Sequence, residues 1–305
     1  MIPENLVMAI FFFSQTAVGI LVNWLLLLHY CFYSVFTGQN LMPKDLIVNH
    51  LTFANFLTII SRGIPQTMAE FGLKYFLNDL VCKLVVYVYR VSRGISLYTT
   101  CLLSCFQVLT ISRGNTRWVR LKHRASKYIR LSCSLSWLVH LLLNVMIPMR
   151  VTSSANSRNG TKRFTFGYCS GFVSGTVATP LYMSILCITD VLCLGLMAWA
   201  SGSMVSLLYR HKRQVQYLRG AQHSSQLSPE TRATQTILIL VCTYAAFYSM
   251  SSILVLYTAF FSNPKLWLIN TFILLETCFP TVSPFVLFSN NNSAAKLYFP
   301  YWGKR

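Results

Sequence analysis

The stretch Leu80 to Ser112, LVCKLVVYVYRVSRGISLYTTCLLSCFQVLTIS, decides the class of this fold. It carries Arg90 and Arg93 inside an otherwise apolar and helix-compatible run, which ends at a strongly basic segment. As a helix rising about 1.5 Å per residue it is about 48 Å long, more than the roughly 30 Å hydrocarbon core of a bilayer. Such a helix must tilt or protrude. An arginine facing lipid is costly, and Arg90 and Arg93, three residues apart, share one helical face. That face is expected to point into a bundle of other helices that supply partners for the charges.

Composition agrees. Of the 305 residues 54% are hydrophobic and 11% charged, against roughly 25% charged in a soluble domain. The chain reads as a polytopic membrane protein. Its net charge of +19 does not point to nucleic acid, because the basic residues lie in connections between apolar runs and not along one polar surface. Most of the ten cysteines fall inside apolar runs, where they read as small packing residues.

Outward from the opening stretch, seven apolar runs can be delimited, at about residues 6–30, 46–68, 80–112, 128–149, 177–208, 233–261 and 266–289, with 290–305 as a tail. The first has Glu4 and no Lys or Arg before it, so it reads as a span and not as a cleaved signal peptide. The expected fold is an all-α bundle of seven transmembrane helices. With the N-terminus outside, the inner connections hold Lys44, then Arg113, Arg117, Arg120, Lys122, Arg124, Lys127 and Arg130, then Arg210, Lys212, Arg213, Arg219 and Arg232, and finally Lys296, Lys304 and Arg305. The outer connections hold Lys74, Arg150, Arg158, Lys162, Arg163 and Lys265. Basic residues are retained on the cytoplasmic side, so this asymmetry predicts the N-terminus outside and the C-terminus inside. The positive charge then lies against the anionic inner leaflet.

The outer connection between the fourth and fifth runs contains Asn159-Gly160-Thr161, a glycosylation acceptor. Asn291-Asn292-Ser293 also fits that pattern but lies on the inner side. Cys82, at the outer end of the third run, and Cys169, in the same outer connection, are the cysteines best placed for an oxidising compartment, and are expected to pair.

Seven helices with an external disulfide from the third span to the loop before the fifth is the layout of G-protein-coupled receptors. Local strings narrow the resemblance. They are Pro43-Lys44-Asp45-Leu46-Ile47 with Asn49-His50-Leu51; Tyr89-Arg90-Val91 with Arg93-Gly94; and Thr99-Thr100-Cys101-Leu102-Leu103-Ser104. Later come Trp199-Ala200-Ser201-Gly202-Ser203-Met204-Val205, Leu208-Tyr209-Arg210-His211-Lys212, Ser228-Pro229-Glu230, and Phe279-Pro280-Thr281-Val282-Ser283-Pro284-Phe285. Over essentially its whole length the chain resembles the type-1 vomeronasal receptors, the pheromone receptor family. That resemblance implies a plasma-membrane receptor for small chemosensory ligands, coupled to a heterotrimeric G protein of the inhibitory class. Two positions depart from the family's usual pattern. Arg113 stands where a proline is usual, which adds charge and removes a helix stop, and Thr189 stands where a basic residue is common before Asp190. A bitter-taste receptor is the neighbouring alternative, and a small-solute or ion transporter the more distant one, although no repeated halves are evident.

Depth singles out candidate site residues without the family. Counted from Cys82, Arg93 lies roughly 16 Å inward; Asp190 lies roughly 20 Å in from Val177, and Glu276 roughly 15 Å in from Leu266. At this common level isolated charges are expensive, so Arg93 is expected to be balanced by Glu276, Asp190 or both, with Arg90 one turn nearer the outside and open to ligand. The same pairs could serve only to hold helices together. Tyr75, Tyr87, Tyr89 and Phe172 suit an apolar pocket but suit ordinary packing equally. Pro280 and Pro284, four apart, remove backbone donors and mark a candidate hinge. Arg113, Arg117, Arg120, Lys122, Arg210, Lys212 and Arg213 are candidates to face the G protein. No catalytic string, metal-ligand spacing or cofactor motif is evident, so no enzyme is expected.

Overall fold

In a computed structural model of the chain the opening stretch folds as one helix, α4 (Asp79–Ile111), and the other helices pack around it. The structure describes residues 4–38, 41–73, 76–111, 116–149, 151–153, 163–165, 168–172, 178–219, 229–260 and 266–290. Before α4 come α1 (Glu4–Thr37), α2 (Pro43–Thr58), a π-helical segment (Ile59–Gly63) and α3 (Ile64–Glu70). After it come α5 (Thr116–Leu143), α6 (Ala178–Arg219), α7 (Pro229–Phe260) and α8 (Leu266–Asn290). With α2, the π segment and α3 taken as one continuous rod, the described residues form seven helices.

Five of these rods, α1, α4, α6, α7 and α8, carry an apolar stretch long enough to cross a membrane. Among the described residues the other two carry no such stretch. The α2–α3 rod buries Asn55, Arg62 and Gln66, and the first part of α5 is strongly basic.

The expected inner loop from Arg113 to Arg130 requires correction, since from Thr116 onward it is helix. Lys, Arg and Leu are good helix formers and no proline interrupts them. The far end of that run closes earlier than residue 149. Helix α5 stops at Leu143, five residues ahead of Pro148, which disfavours helix in the residue before it. Helix α6 continues to Arg219, so Arg210, Lys212 and Arg213 lie on a helix as well. Arg113, residues 291–305 of the tail and the glycosylation site at Asn159 lie outside the described residues.

Polarity is distributed inside out. Large apolar side chains such as Leu21, Leu142, Val191 and Trp199 are exposed, whereas Asn23, Asn55, Arg62, Ser92, Ser96 and Thr99 are buried. That is the arrangement a hydrocarbon solvent selects, because polar groups must find partners within the bundle. On α4 the hydroxyls of Thr99, Thr100 and Ser104 return to carbonyls four residues earlier, at 2.7–2.8 Å. They stay satisfied while presenting little bulk to neighbouring helices. Close approach is also achieved at Gly94, where a Cβ would collide with the imidazole of His140 on α5. The apolar core, with Leu26, Leu51, Leu97, Leu103, Met197, Ile237 and Phe279 among its members, occupies the rest of the bundle.

A three-stranded antiparallel sheet links α4 and α5 to the loop before α6. Strand β3 (Cys169–Phe172) lies between β1 (Val151–Ser153) and β2 (Arg163–Thr165), with Ser153 opposite Cys169 and Phe164 opposite Gly171. Cys169 is joined to Cys82 by the expected disulfide, with Cα atoms 5.9 Å apart. The bond fixes β3 to the start of α4 and buries Tyr168 beside Val86, Ile147 and Val151.

Candidate functional site

The charges that the apolar runs carried meet at one level of the bundle. Arg93 on α4 reaches Asp190 Oδ2 on α6 with Nη1 at 3.5 Å and Glu276 Oε1 on α8 with Nε at 3.6 Å. Glu276 Oε2 in turn lies 3.8 Å from Arg62 Nη2. The result is a chain of alternating charge, Asp190–Arg93–Glu276–Arg62, drawn from four rods. Both carboxylates expected for Arg93 are therefore used.

The two halves of the chain differ in access. Side chains of Arg62 and Glu276 are only 3% and 7% exposed, whereas Arg93 and Asp190 are 25% and 24% exposed. The Arg62–Glu276 pair is thus shut away from solvent, whereas the Arg93–Asp190 pair is partly open. Neighbouring tyrosines complete the cluster. The Tyr248 hydroxyl donates to Asp190 Oδ2, and the Arg93 guanidinium lies 4.9 Å from the centroid of the Tyr248 ring, in cation–π range. Arg62 stands over the Tyr89 ring at 5.1 Å and donates from Nη1 to the Tyr168 hydroxyl at 3.4 Å. Through Tyr168 the disulfide-anchored loop touches the charge cluster.

Arg62 reaches inward because of the π segment. A π turn closes its hydrogen bond one residue later than an α turn, which rotates the helix face there, and such bulges recur at functional sites. Gly63 permits the accompanying close contact with α1, since a Cβ would lie 2.7 Å from Thr16 Oγ1.

Beside the cluster is a cavity of about 40 Å³ between α2, α4, α7 and α8. Thr58, Tyr89, Arg93 and Ser96 line one side, and Tyr244, Phe247, Tyr248, Ser251, Leu275, Glu276, Phe279 and Pro280 the other. It combines an aromatic wall with few polar groups, the make-up expected of a small-molecule site, at a volume well below the roughly 300 Å³ at which such sites begin. Next to it lies a buried polar layer. Asn55 donates to Ser283 Oγ at 2.8 Å and accepts from Ser96 at 2.8 Å, and Thr58 donates to Ser92 at 2.9 Å.

Of the residues expected at the site, Arg93, Asp190 and Glu276 come together. Arg90 does not join them; it is half-buried, lines no part of the cavity, and makes no salt bridge among the described residues. Tyr89 lines the cavity, Tyr87 instead donates to the Leu141 carbonyl at 2.9 Å, and Tyr75 lies outside the described residues. Sequence reasoning did not assign Arg62, Tyr168, Tyr244 or Tyr248 to the site. For Arg62 a signal was present, since it is a further arginine inside an apolar run and bears the same cost as Arg93.

Pro280 and Pro284 both lie within α8, which is helical through them. Pro284 removes the donor that would bond the Pro280 carbonyl. Asn23 of α1 replaces it, donating from Nδ2 to that carbonyl at 2.9 Å.

Comparison with known proteins agrees with this architecture. The model of the vomeronasal organ pheromone receptor family matches residues 6–299. The chain is similar to vomeronasal type-1 receptor 4 of Homo sapiens, 48% identical over 289 residues that cover 94% of this chain and 95% of that protein. It is 47% identical to human vomeronasal type-1 receptor 3 over 298 residues, covering 97% and 95%. A more distant relative is olfactory receptor class A-like protein 1 of Danio rerio, 31% identical over 284 residues, 92% of this chain and 88% of that one. This multi-pass membrane protein therefore belongs to the vomeronasal organ pheromone receptor family, that of the type-1 vomeronasal receptors.

Proposed function

We propose that the chain is a G-protein-coupled receptor of the plasma membrane, N-terminus outside and C-terminus inside, that binds a small chemosensory molecule at the cavity beside Arg93. The observation that carries the reading is the sharing of Arg93 between two carboxylates at the cavity wall. A ligand that draws on Arg93 alters contacts to α6 and α8 at once, and so can bias one helix arrangement over another. Glu276 and Asp190 serve as the counter-charges in that exchange. Arg90, outside the lining, is reserved for the approach of the ligand.

A ligand larger than the cavity requires α7 and α8 to separate from α4. The paired prolines of α8 suit that role as a hinge, because the helix there depends on Asn23 for a bond that its own backbone cannot make. On the inner side, Arg117, Arg120 and Lys122 on α5 and Arg210, Lys212 and Arg213 on α6, with Arg113, form the basic surface for a heterotrimeric G protein, of the inhibitory class by family. The same residues lie against anionic lipid. Family membership argues against the bitter-taste and transporter readings.

The test is a screen of small chemosensory compounds on cells expressing the full chain, with cAMP as the readout. A ligand-dependent fall in cAMP that is absent from Arg93→Ala cells at equal surface expression is expected. Ligand-driven solute flux without G-protein activation would overturn the proposal.

A further inference from the structure

The cavity carries its own counter-charges in full. Arg62 and Arg93 face Glu276 and Asp190 in one chain of contacts at 3.5–3.8 Å, two cations against two anions. Of these four, Arg93 and Glu276 line the cavity, and Asp190 and Arg62 contact them from outside the lining; the other lining groups, among them Thr58, Ser96, Ser251 and Tyr244, are uncharged, and Arg90 is not part of the wall. The space of about 40 Å³ has room for only a few waters. A charged group entering it therefore loses its hydration and meets repulsion along with attraction. An anion beside Arg93 also lies beside Asp190 and Glu276, and a cation beside those carboxylates lies beside Arg93. An uncharged molecule avoids both costs. Its apolar body fits Tyr244, Phe247, Leu275 and Phe279, while a polar atom can take one of the five N–H donors of Arg93 without displacing either carboxylate.

We propose that this cavity selects uncharged molecules and excludes organic anions and cations, with Glu276 as the residue that sets the preference. The inference rests on reading the cavity as the ligand site. Removing Glu276's charge leaves two guanidiniums facing one carboxylate, and the site becomes an anion acceptor.

The test needs no identified ligand. A Ser251→Cys substitution puts a thiol in the cavity wall of the full chain, purified in detergent so that no bilayer shields it. Three methanethiosulfonates of similar size, carrying a hydroxyethyl, a sulfonatoethyl or a trimethylammonioethyl group, then react with it. Each rate is divided by that reagent's rate with a free small thiol, and labelling of the chain lacking the substitution is subtracted. The uncharged reagent is expected to be at least about tenfold faster than either charged one, as unfavourable juxtaposition of charge demands. Adding Glu276→Gln is expected to raise the sulfonate rate about tenfold while the ammonium reagent stays slow. A charged reagent that equals the uncharged one with all four charges present overturns the proposal. That comparison stands even where the Glu276→Gln chain does not fold. A thiol that none of the three reaches in the folded chain, but all reach after unfolding, overturns the cavity as a ligand site and this inference with it.

Discussion

Glu276 neutralises two guanidiniums from different rods, Arg62 and Arg93, whereas Asp190 has Arg93 and the Tyr248 hydroxyl. The two acids should therefore differ in what their loss does. Removing Glu276 strands the nearly buried Arg62 without its carboxylate, the situation that costs about 3–5 kcal/mol in folded proteins. Removing Asp190 leaves Arg93 still paired with Glu276 and a quarter exposed, so screening reduces the cost. Thermal unfolding of the purified chain should place Glu276→Gln well below Asp190→Asn, with Asp190→Asn near the unaltered protein. Equal losses would mean that Arg62 has no need of Glu276. At this scale the sequence was informative about charge and poor about aromatics. Arg93, Asp190 and Glu276 stand out because a charge at membrane depth demands a partner, whereas Tyr244 and Tyr248 sit in an apolar run where a tyrosine toward lipid and one toward a cavity look alike.

Among the elements, α8 shows how two rods share one set of hydrogen bonds. Its prolines mark a candidate hinge, and the helix runs through both of them while Asn23 of α1 donates to the carbonyl that Pro284 leaves without a partner. Asn23→Leu should destabilise the protein by about 1–3 kcal/mol, the cost of a buried acceptor left unmade. With Pro284→Ala in place, the helix supplies its own donor and the same substitution should cost much less, a coupling that a double-mutant cycle in thermal unfolding reads directly. Purely additive effects would show that Asn23 has no compensating role. The existence of every rod was legible from its apolar run, and the ends of α4 and α8 fell within a residue of the expected ones. The α2–α3 rod and α5 were less legible. A π segment leaves no signature in hydropathy, and basic residues continue a helix beyond the bilayer as readily as they form a loop.

For the molecule as a whole, the bilayer acts as the solvent, turning apolar side chains outward and gathering polar ones within. Orientation adds a further claim. A tag before Met1 should be detected on intact cells and a tag after Arg305 only after permeabilisation, while Asn159→Gln should abolish a glycosidase-sensitive shift in mobility. Detection of both tags on one face would contradict an odd number of crossings. The most direct measurement of the central claim, that the intramembrane charge cluster is the ligand-responsive site, compares the chain with its Glu276→Gln variant at matched surface expression, following cAMP against a chemosensory compound panel. The account predicts that the variant at the surface has lost the responses the unaltered chain gives. A variant that responds to the same compounds with the same potency would contradict it.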